Sequence, residues 1–253
     1  MSRTHRLCPF GYPHRNPKTL NLTLKQPVTL LFMTHTVNLV HITPDAEERI
    51  AYMARVSNPN TQSNTQGLSH SDYTQTSAKL IKYLIVHHHW SPFEMVNMCV
   101  EINTTRSIAA QILRHRSFSF QEFSQRYAKV DALPTIPELR TQDHTNRQNS
   151  VDNLNVDLDH MYQQLIAKHY VEGYRLYQHM LDAGIAKECA REVLPLAAPT
   201  RMYMNGSIRS WLHYCDLRTS NGTQREHSLI ANGVRDLLYT YLPIVSTAMW
   251  AKE

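Results

Sequence analysis

The sequence predicts an α+β fold with a small, mostly antiparallel sheet, segregated helices and one long helix. A strand is clearest where Val96, Met98, Val100 and Ile102 alternate with polar residues, because this pattern buries one face of a strand. A long helix is predicted over residues 151–181, where apolar side chains recur at steps of three and four. Because strands and helices do not alternate regularly along the chain, this class is favoured over a parallel α/β sheet.

The first hundred residues begin with a segment that has little apolar surface to bury. Residues 1–30 are rich in Pro and polar residues, so we expect a mobile extension, followed by a single domain over residues 31–253. A strand is predicted over residues 37–43, and Pro44 with Asp45 begins a helix. The apolar face of that helix carries Ala46, Ile50, Met53 and Ala54. A polar loop over 58–71 precedes a helix over 72–88, whose expected buried side carries Leu80, Tyr83, Leu84 and His87.

Helices dominate the rest of the prediction. Helical spacing of apolar residues over 108–113 places Gln111 and the triplet 114–116 on the last turn of a helix. Gly184 ends the long helix, and residues 131–150 are the best candidate linker. The remaining predicted elements are a short helix over 186–193, a strand over 200–205, a helix over 207–217 and a final helix carrying Leu229, Ile230, Val234, Leu237 and Leu238.

Composition restricts the class of protein but does not decide its function. The net charge of +5 and pI of about 9.0 suit a protein that binds phosphorylated small molecules as well as a weak nucleic-acid binder. The four cysteines are widely spaced, so neither a disulfide framework nor a zinc ribbon is indicated, and a reducing cytoplasmic compartment is expected. No apolar run has the length of a membrane span, and the N-terminus has no apolar signal core.

The stretch from Arg114 to Tyr127 is the strongest functional signal, because it gathers cations, hydroxyl groups and a carboxylate around an Arg-His-Arg triplet. Such a set of donors is suited to binding anions. A lone Arg-His-Arg triplet is more often a solvated basic helix end, where cations also favour the helix dipole. The longer pattern, in which seven residues separate the triplet from Ser124, resembles the signature of the flavin-dependent thymidylate synthases.

The resemblance implies a set of FAD-binding residues. The stretch His-x-Ser-Pro-Phe-Glu at 89–94 and Ala-Arg-Val-Ser at 54–57 are similar to family segments beside the flavin, although Ser207 and His213 replace the Asn that many relatives carry. The implied FAD-binding residues are Ser57, Ser91, Glu94, Arg114, His115, Arg116, Ser117, Ser207, Arg209, His213 and Leu217.

The resemblance also implies a nucleotide site. The Arg that follows Leu217 is expected to contact the pyrimidine of dUMP and to favour its ionisation, so Arg218 is the predicted catalytic residue. On spacing alone, Arg191 could instead form a surface ion pair with Glu188. The implied dUMP-binding residues are Gln111, Arg114, Glu122, Phe123, Ser124, Gln125, Arg126, Arg191 and Arg218.

The implied reaction is reductive methylation of dUMP to dTMP. NADPH would reduce FAD, methylenetetrahydrofolate would donate the carbon, and a homotetramer would assemble each site from several chains. Transfer of a hydroxymethyl group to dUMP, instead of a methyl group, is an alternative reaction on the same scaffold. A different class, a basic nucleic-acid-binding protein, is suggested by aromatic residues interleaved with Arg over 118–127, but no RNP-like strand accompanies them.

Three consecutive histidines, His87 to His89, raise the possibility of a metal site. Consecutive helical positions point about 100° apart, whereas a pair of helical ligands needs a spacing of four residues. We therefore predict no metal site. The cysteines also lack a nucleophile setting, so none is expected to be essential.

Overall fold

The computed structural model describes residues 35–57 and 70–251. The predicted extension and most of the polar loop at 58–71 lie outside these residues. The main sheet has the strand order β1-β2-β6-β3, and all three pairings are antiparallel. Its strands are β1 (Thr36–Ile42), β2 (Asn97–Thr105), β6 (Pro199–Ser207) and β3 (Ser119–Glu122). A separate two-stranded ribbon pairs β4 (Thr141–Gln142) with β5 (Ser150–Val151).

The helices account for most of the remaining described chain, which confirms the α+β class. The α-helices are α1 (Ala46–Ala54), α2 (His70–Val86), α3 (Arg106–Ile112), α4 (Val156–Asp182), α5 (Lys187–Ala190), α6 (Ile208–Thr219), α7 (Arg225–Tyr241) and α8 (Pro243–Trp250). Short 3-10 helices cover Arg55–Ser57, Ser91–Met95 and Arg191–Val193.

The core lies between one face of the sheet and the helices packed on it. The alternation predicted for β2 is confirmed, because Met98, Val100 and Ile102 are all fully buried. Trp211 of α6 is fully buried too, and its indole N–H donates to the carbonyl of Met98 at 2.9 Å. This hydrogen bond fixes α6 over the middle strands.

A glycine in β6 lets the loop after α3 pack onto the sheet. A Cβ at Gly206 would lie 2.4 Å from the ring of Phe118, so only glycine fits there. The Phe118 ring in turn meets Trp211 at a centroid distance of 4.6 Å. This packing anchors the chain immediately after Arg114–Arg116.

One prediction about a short element is wrong, and one short strand was not predicted. The triplet 114–116 lies beyond the last turn of α3, because that helix ends at Ile112 and the apolar Leu113 is 41% exposed. Strand β3 was not predicted, and it forms because its backbone pairs with β6. The triplet therefore sits in a turn between a helix and an edge strand.

The buried face of α2 differs from the prediction by about one position. Tyr83 is 51% exposed and His87 is exposed, whereas Ile81, Leu84 and Ile85 pack into the core. The Tyr83 ring instead stacks on His87 at 4.0 Å. The two rings therefore pack against each other on the surface and do not contribute to the core.

The long helix and the final helix also have corrected bounds. Helix α4 begins at Val156 rather than near 151, because the side chain of Asn155 accepts hydrogen bonds from two N–H groups of its first turn. The predicted final helix is α7, and Pro243 begins a further helix, α8, that was not predicted. Within α7, Leu229 is 52% exposed, whereas Ile230 and Val234 are fully buried.

Helix α4 packs on a second, smaller apolar cluster. Tyr177 is fully buried, and its hydroxyl accepts from the N–H of Val130 at 3.0 Å. The N-terminal half of α4 is less covered, since Leu158, Met161 and Leu165 are each more than 40% exposed. The candidate linker at 131–150 is held to α7 by Arg140, which donates to Glu226 at 2.6 Å.

Candidate functional site

Glu94 is the centre of the first group of predicted site residues. The Ser91–Met95 turn brings it to the start of α6, where Ser207 donates to one carboxylate oxygen at 2.5 Å and Arg209 to the other at 2.6 Å. These two hydrogen bonds lower the pKa of the Glu94 carboxyl. Ser207 also caps α6 by accepting from the N–H of Ser210. Glu94, Ser207 and Arg209, all three assigned to FAD by the resemblance, are thus in contact within one chain.

A cavity of about 320 Å³ opens beside this group. Its lining includes Glu94, Arg209, Ser117 and His213, four of the residues assigned to FAD. Two further assigned residues, Ser91 and Leu217, are exposed. Ser57 ends a 3-10 turn, and its side chain lies outside the described residues.

The triplet separates into two exposed cations and a half-buried histidine. Arg114 and Arg116 are exposed and form no ion pair with any residue that the structure describes. The His115 ring turns inward, and its Nε2 accepts from Nε of Arg218 at 2.9 Å. Burial, helped by the charge of Arg218, lowers the pKa of His115 to about 4, so the ring is neutral and can accept.

Arg218 itself lies at the end of α6 and is half-buried. Its only hydrogen bond within the described part of the chain is the one to His115. No described carboxylate neutralises it, so its outer guanidinium nitrogens retain their charge and their donors. A cation held in this way is suited to an anionic ligand.

Sequence reasoning missed two buried polar residues behind Gln111. The His227 ring is fully buried between Gln111 Oε1, at 3.4 Å from Nδ1, and the Tyr214 hydroxyl, at 3.1 Å from Nε2. A sequence signal existed, because His227 shares the apolar stripe of α7 with Ile230 and Val234. A polar residue on such a stripe needs hydrogen-bond partners when buried.

The other residues assigned to dUMP form a second group near β3. Glu122 accepts from Arg106 at 2.5 Å and from Thr200 at 2.9 Å. Arg126 is paired with Glu188 at 3.2 Å, and Arg191 is paired with Glu192 at 3.5 Å. The alternative pairing of Arg191 with Glu188 is therefore wrong.

The loop after β3 borders a groove of about 860 Å³. Ser124 is exposed on its rim, and Tyr127 is 86% exposed. Phe123 packs against the second apolar cluster below. Gln125 is buried, and its Nε2 has no hydrogen-bond partner in the described chain. An unsatisfied buried amide is unusual in a complete site.

The two groups lie at opposite ends of one strand. Ser207, which binds Glu94, ends β6, whereas Thr200, which binds Glu122, lies near its beginning. A strand rises about 3.3 Å per residue, so the two carboxylates are separated by roughly 20 Å along the sheet.

Two of the described thiols are poor nucleophiles, and the histidine run lies on the surface. Burial raises the pKa of Cys99 and of Cys215, which makes both weak nucleophiles. His87 to His89 are exposed, and Nδ1 of His87 lies 2.9 Å from the carbonyl of Tyr83. Among residues 35–57 and 70–251, no group of three or more His, Cys, Asp or Glu side chains is arranged to hold a metal ion. None of the helices in these ranges is long and apolar enough to cross a membrane.

Comparison with known proteins identifies the family. The model of the family described as thymidylate synthase complementing protein matches residues 38–244. A probable flavin-dependent thymidylate synthase of Paramecium bursaria Chlorella virus 1 is 50% identical over 204 residues, which is 81% of this chain and 90% of the relative. The flavin-dependent thymidylate synthase of a Synechocystis strain is 46% identical over 203 residues, 80% of this chain and 89% of that protein.

A solved structure agrees with these relatives. The UMP/dUMP methylase PolB from Streptomyces cacaoi, bound with 5-Br UMP, superposes with a TM-score of 0.74 and 27% identity. The superposition covers 88% of this chain and 96% of that one.

Proposed function

The chain belongs to the family of flavin-dependent thymidylate synthases, and we propose that it methylates dUMP to dTMP with FAD as its cofactor. The observation that carries this proposal is the group of unneutralised arginines around the triplet, in a chain of this family. Arg114, Arg116 and Arg218 supply donors and positive charge for phosphorylated ligands. The names of the relatives favour methylation over a hydroxymethyl product or nucleic-acid binding.

The residues fit a flavin nucleotide in their chemistry. FAD carries a negative diphosphate and several hydroxyl groups, and Arg114 and Arg116 are exposed cations without a described carboxylate partner. The cavity beside Glu94 adds serine hydroxyls and an arginine. We assign FAD binding to the residues that the sequence resemblance implies, from Ser57 to Leu217. When bound, reduced FAD supplies the hydride that completes the methyl group.

The residues assigned to dUMP include arginines whose hydrogen-bond donors suit its phosphate. Arg126 and Arg191 present planar forks suited to a phosphate, and both have exposed carboxylate partners that a stronger anion can displace. Gln111, Glu122, Phe123, Ser124 and Gln125 complete the proposed site.

Arg218 is the proposed catalytic residue. It is a cation positioned by a neutral imidazole, so beside the bound nucleotide it can stabilise negative charge that develops on the pyrimidine. Burial weakens the thiols of Cys99 and Cys215 as nucleophiles, which is consistent with a reaction that needs no cysteine nucleophile. Methylenetetrahydrofolate is the proposed carbon donor and NADPH the proposed reductant.

We infer a homotetramer in which neighbouring chains complete each site. The support is geometric, because Glu94, assigned to FAD, and Glu122, assigned to dUMP, lie roughly 20 Å apart along β6 in one chain. The exposed apolar side chains of α4 and the unsatisfied amide of Gln125 are consistent with a missing partner surface. Light scattering at assay concentration tests this, and a catalytically competent monomer would contradict it.

Purification and product analysis test the function. The protein is expected to be yellow and, with dUMP, methylenetetrahydrofolate and NADPH, to form a product with the mass of dTMP. Omitting each co-substrate in turn should abolish the product. A protein that neither retains nor binds FAD would refute the proposal, and a product heavier than dTMP by one oxygen atom would show hydroxymethylation instead.

A further inference from the structure

A chain of side-chain hydrogen bonds connects three helices behind the proposed pyrimidine site. It begins at Glu226 of α7, which accepts from Gln224 at 2.8 Å. Gln224 accepts from Gln111 of α3 at 2.6 Å. Gln111 contacts His227 at 3.4 Å, and His227 contacts Tyr214 of α6 at 3.1 Å.

The carboxylate of Glu226 determines the direction of the first two links. Burial alone would raise the pKa of Glu226, but hydrogen bonds from Arg140, its own backbone N–H and Gln224 together lower it, so the group is ionised and can only accept. Gln224 must therefore turn its NH2 group to Glu226 and its oxygen to Gln111. This leaves the Gln111 oxygen facing His227.

The direction of the last two links then follows. Because an amide oxygen only accepts, Nδ1 of His227 must carry the proton that points to Gln111. A neutral imidazole has a single proton, so Nε2 of His227 accepts from the Tyr214 hydroxyl. Burial, with smaller contributions from Arg218 and His115, lowers the pKa of His227 to about 3, which keeps the ring neutral at physiological pH.

The consequence is an amide that cannot rotate. One proton of Gln111 Nε2 is used by Gln224, and the second remains available as a fixed donor. The same buried rings support the neighbouring cation, since His115, which holds Arg218, meets Tyr214 at 5.0 Å and His227 at 6.1 Å. A fixed N–H donor matches a carbonyl oxygen of a pyrimidine.

We propose that His227 is a positioning residue for the pyrimidine, acting through Gln111: it holds the amide oxygen so that the amide N–H faces the nucleotide. This inference rests on the proposed binding of dUMP. It assigns a role to a residue that touches neither substrate nor cofactor. His227 therefore acts on nucleotide affinity, whereas a residue needed only for packing would act on stability alone.

Two amide substitutions separate the links of His227. The nitrogen of Asn in H227N lies near the position of Nδ1 and can donate to Gln111, whereas that of Gln in H227Q lies near Nε2 and reaches Tyr214 instead. In the full-length, flavin-loaded enzyme, we expect H227Q to weaken the equilibrium binding of dUMP roughly ten-fold, as for one lost hydrogen bond of about 1.4 kcal/mol. We expect H227N to remain within about three-fold of wild type.

A double-mutant cycle tests whether the effect passes through Gln111. Q111A should weaken dUMP binding, and adding H227Q to Q111A should cause no further loss. Additive losses would overturn the proposal, because His227 would then act independently of Gln111. Equal losses in H227N and H227Q, or none in either, would overturn it as well.

Cys215 provides the matched control. It is the residue next to Tyr214, is fully buried and points to the carbonyl of Ala231 in the same α6–α7 interface, without a link to Gln111. C215A should lower thermal stability and leave dUMP affinity unchanged. Wild-type enzyme that shows no binding and no turnover of dUMP would contradict the proposed function itself, whereas normal wild-type behaviour with unaffected variants would contradict only the role of His227.

Discussion

Folding stability should fall as the solution is acidified, and His227 should cause a defined part of that fall. Its ring is fully buried, and its pKa is lowered from the ordinary 6.5 to about 3. The unfolded chain therefore binds a proton between these two values where the folded chain does not. The free energy of unfolding is unaffected above pH 6.5 and decreases as the pH falls through 6.5 towards 3.

The size of this loss of stability follows from the difference between the pH and the ordinary pKa of histidine. A pH of 5 is about 1.5 units below the pKa of histidine in the unfolded chain, and each unit is worth about 1.4 kcal/mol. His227 therefore lowers the free energy of unfolding at pH 5 by about 2 kcal/mol. H227F removes the titrating group and keeps an aromatic ring of similar size. The loss of stability between pH 7.5 and pH 5 should therefore be smaller in H227F than in wild type by about 2 kcal/mol.

Denaturant unfolding at the two pH values, with protomer concentration and FAD held constant, measures this difference. Only the change with pH is compared, so the hydrogen bonds that H227F loses at both pH values cancel. The pKa of His115 is also lowered, but His115 is present in both proteins. C215A should keep the pH dependence of wild type. Equal pH dependence in wild type and H227F would refute the reasoning, because His227 would then be protonated as readily in the folded protein as in the unfolded chain.

Three further single substitutions and one combined replacement of cysteines test the proposed site. R218A should retain FAD and lower single-turnover oxidation of reduced flavin about a hundred-fold or more, as expected for a lost charge contact in the transition state, whereas oxidation at the wild-type rate would contradict its catalytic role. R191A should raise the KM for dUMP about ten-fold and change kcat little, because a phosphate contact is present before and during reaction alike, and steady-state kinetics would show the reverse if Arg191 acted on turnover. E94Q should lower FAD occupancy, measured from the flavin absorbance of purified protein, because it removes the charge that holds Arg209. Replacing the three described cysteines with Ala should keep turnover within about two-fold of wild type, and loss of turnover in a folded protein would indicate a thiol-dependent reaction.

The parts of the fold that were predicted correctly are those with a local signal. The alternation around β2 identified its buried face, and β6 was found with bounds one or two residues too short. Ser207 was placed at the start of a helix, where it accepts a hydrogen bond from Ser210 as an N-cap. Each of these signals lies within a few residues of the element that it predicts.

Strand β3 could not be predicted in the same way. Its four residues pair with β6, and the first pair joins Ser119 to Asn205. Pairing between residues 80 to 86 positions apart depends on the assembled sheet and leaves only a weak pattern in so short a segment. The end of α3 was misplaced for a related reason, because the apolar Leu113 continued the helical pattern although it is largely exposed.

The site was predicted as a set of residues but not as a set of contacts. The resemblance implied Gln111, His115 and Arg218, yet the partner of His115 lies 103 residues away and the partner of Gln111 lies 116 residues away. His227 was not identified, since a histidine on an apolar stripe has no partner visible in the sequence. Its role follows only from the packing of α3, α6 and α7 against one another.

Neutral histidines explain how this chain positions a cation without cancelling its charge. His115 accepts from Arg218 through a lone pair that an imidazolium would lack, and the charge of Arg218 helps to keep the pKa of that ring low. A carboxylate in place of His115 would hold the guanidinium equally well. It would also neutralise the positive charge of Arg218, which the proposed reaction needs beside the pyrimidine. Arg209 shows the contrast, because Glu94 holds it at 2.6 Å and compensates its charge. Arg209 therefore contributes directed hydrogen-bond donors to the proposed flavin site, whereas Arg218 contributes net charge.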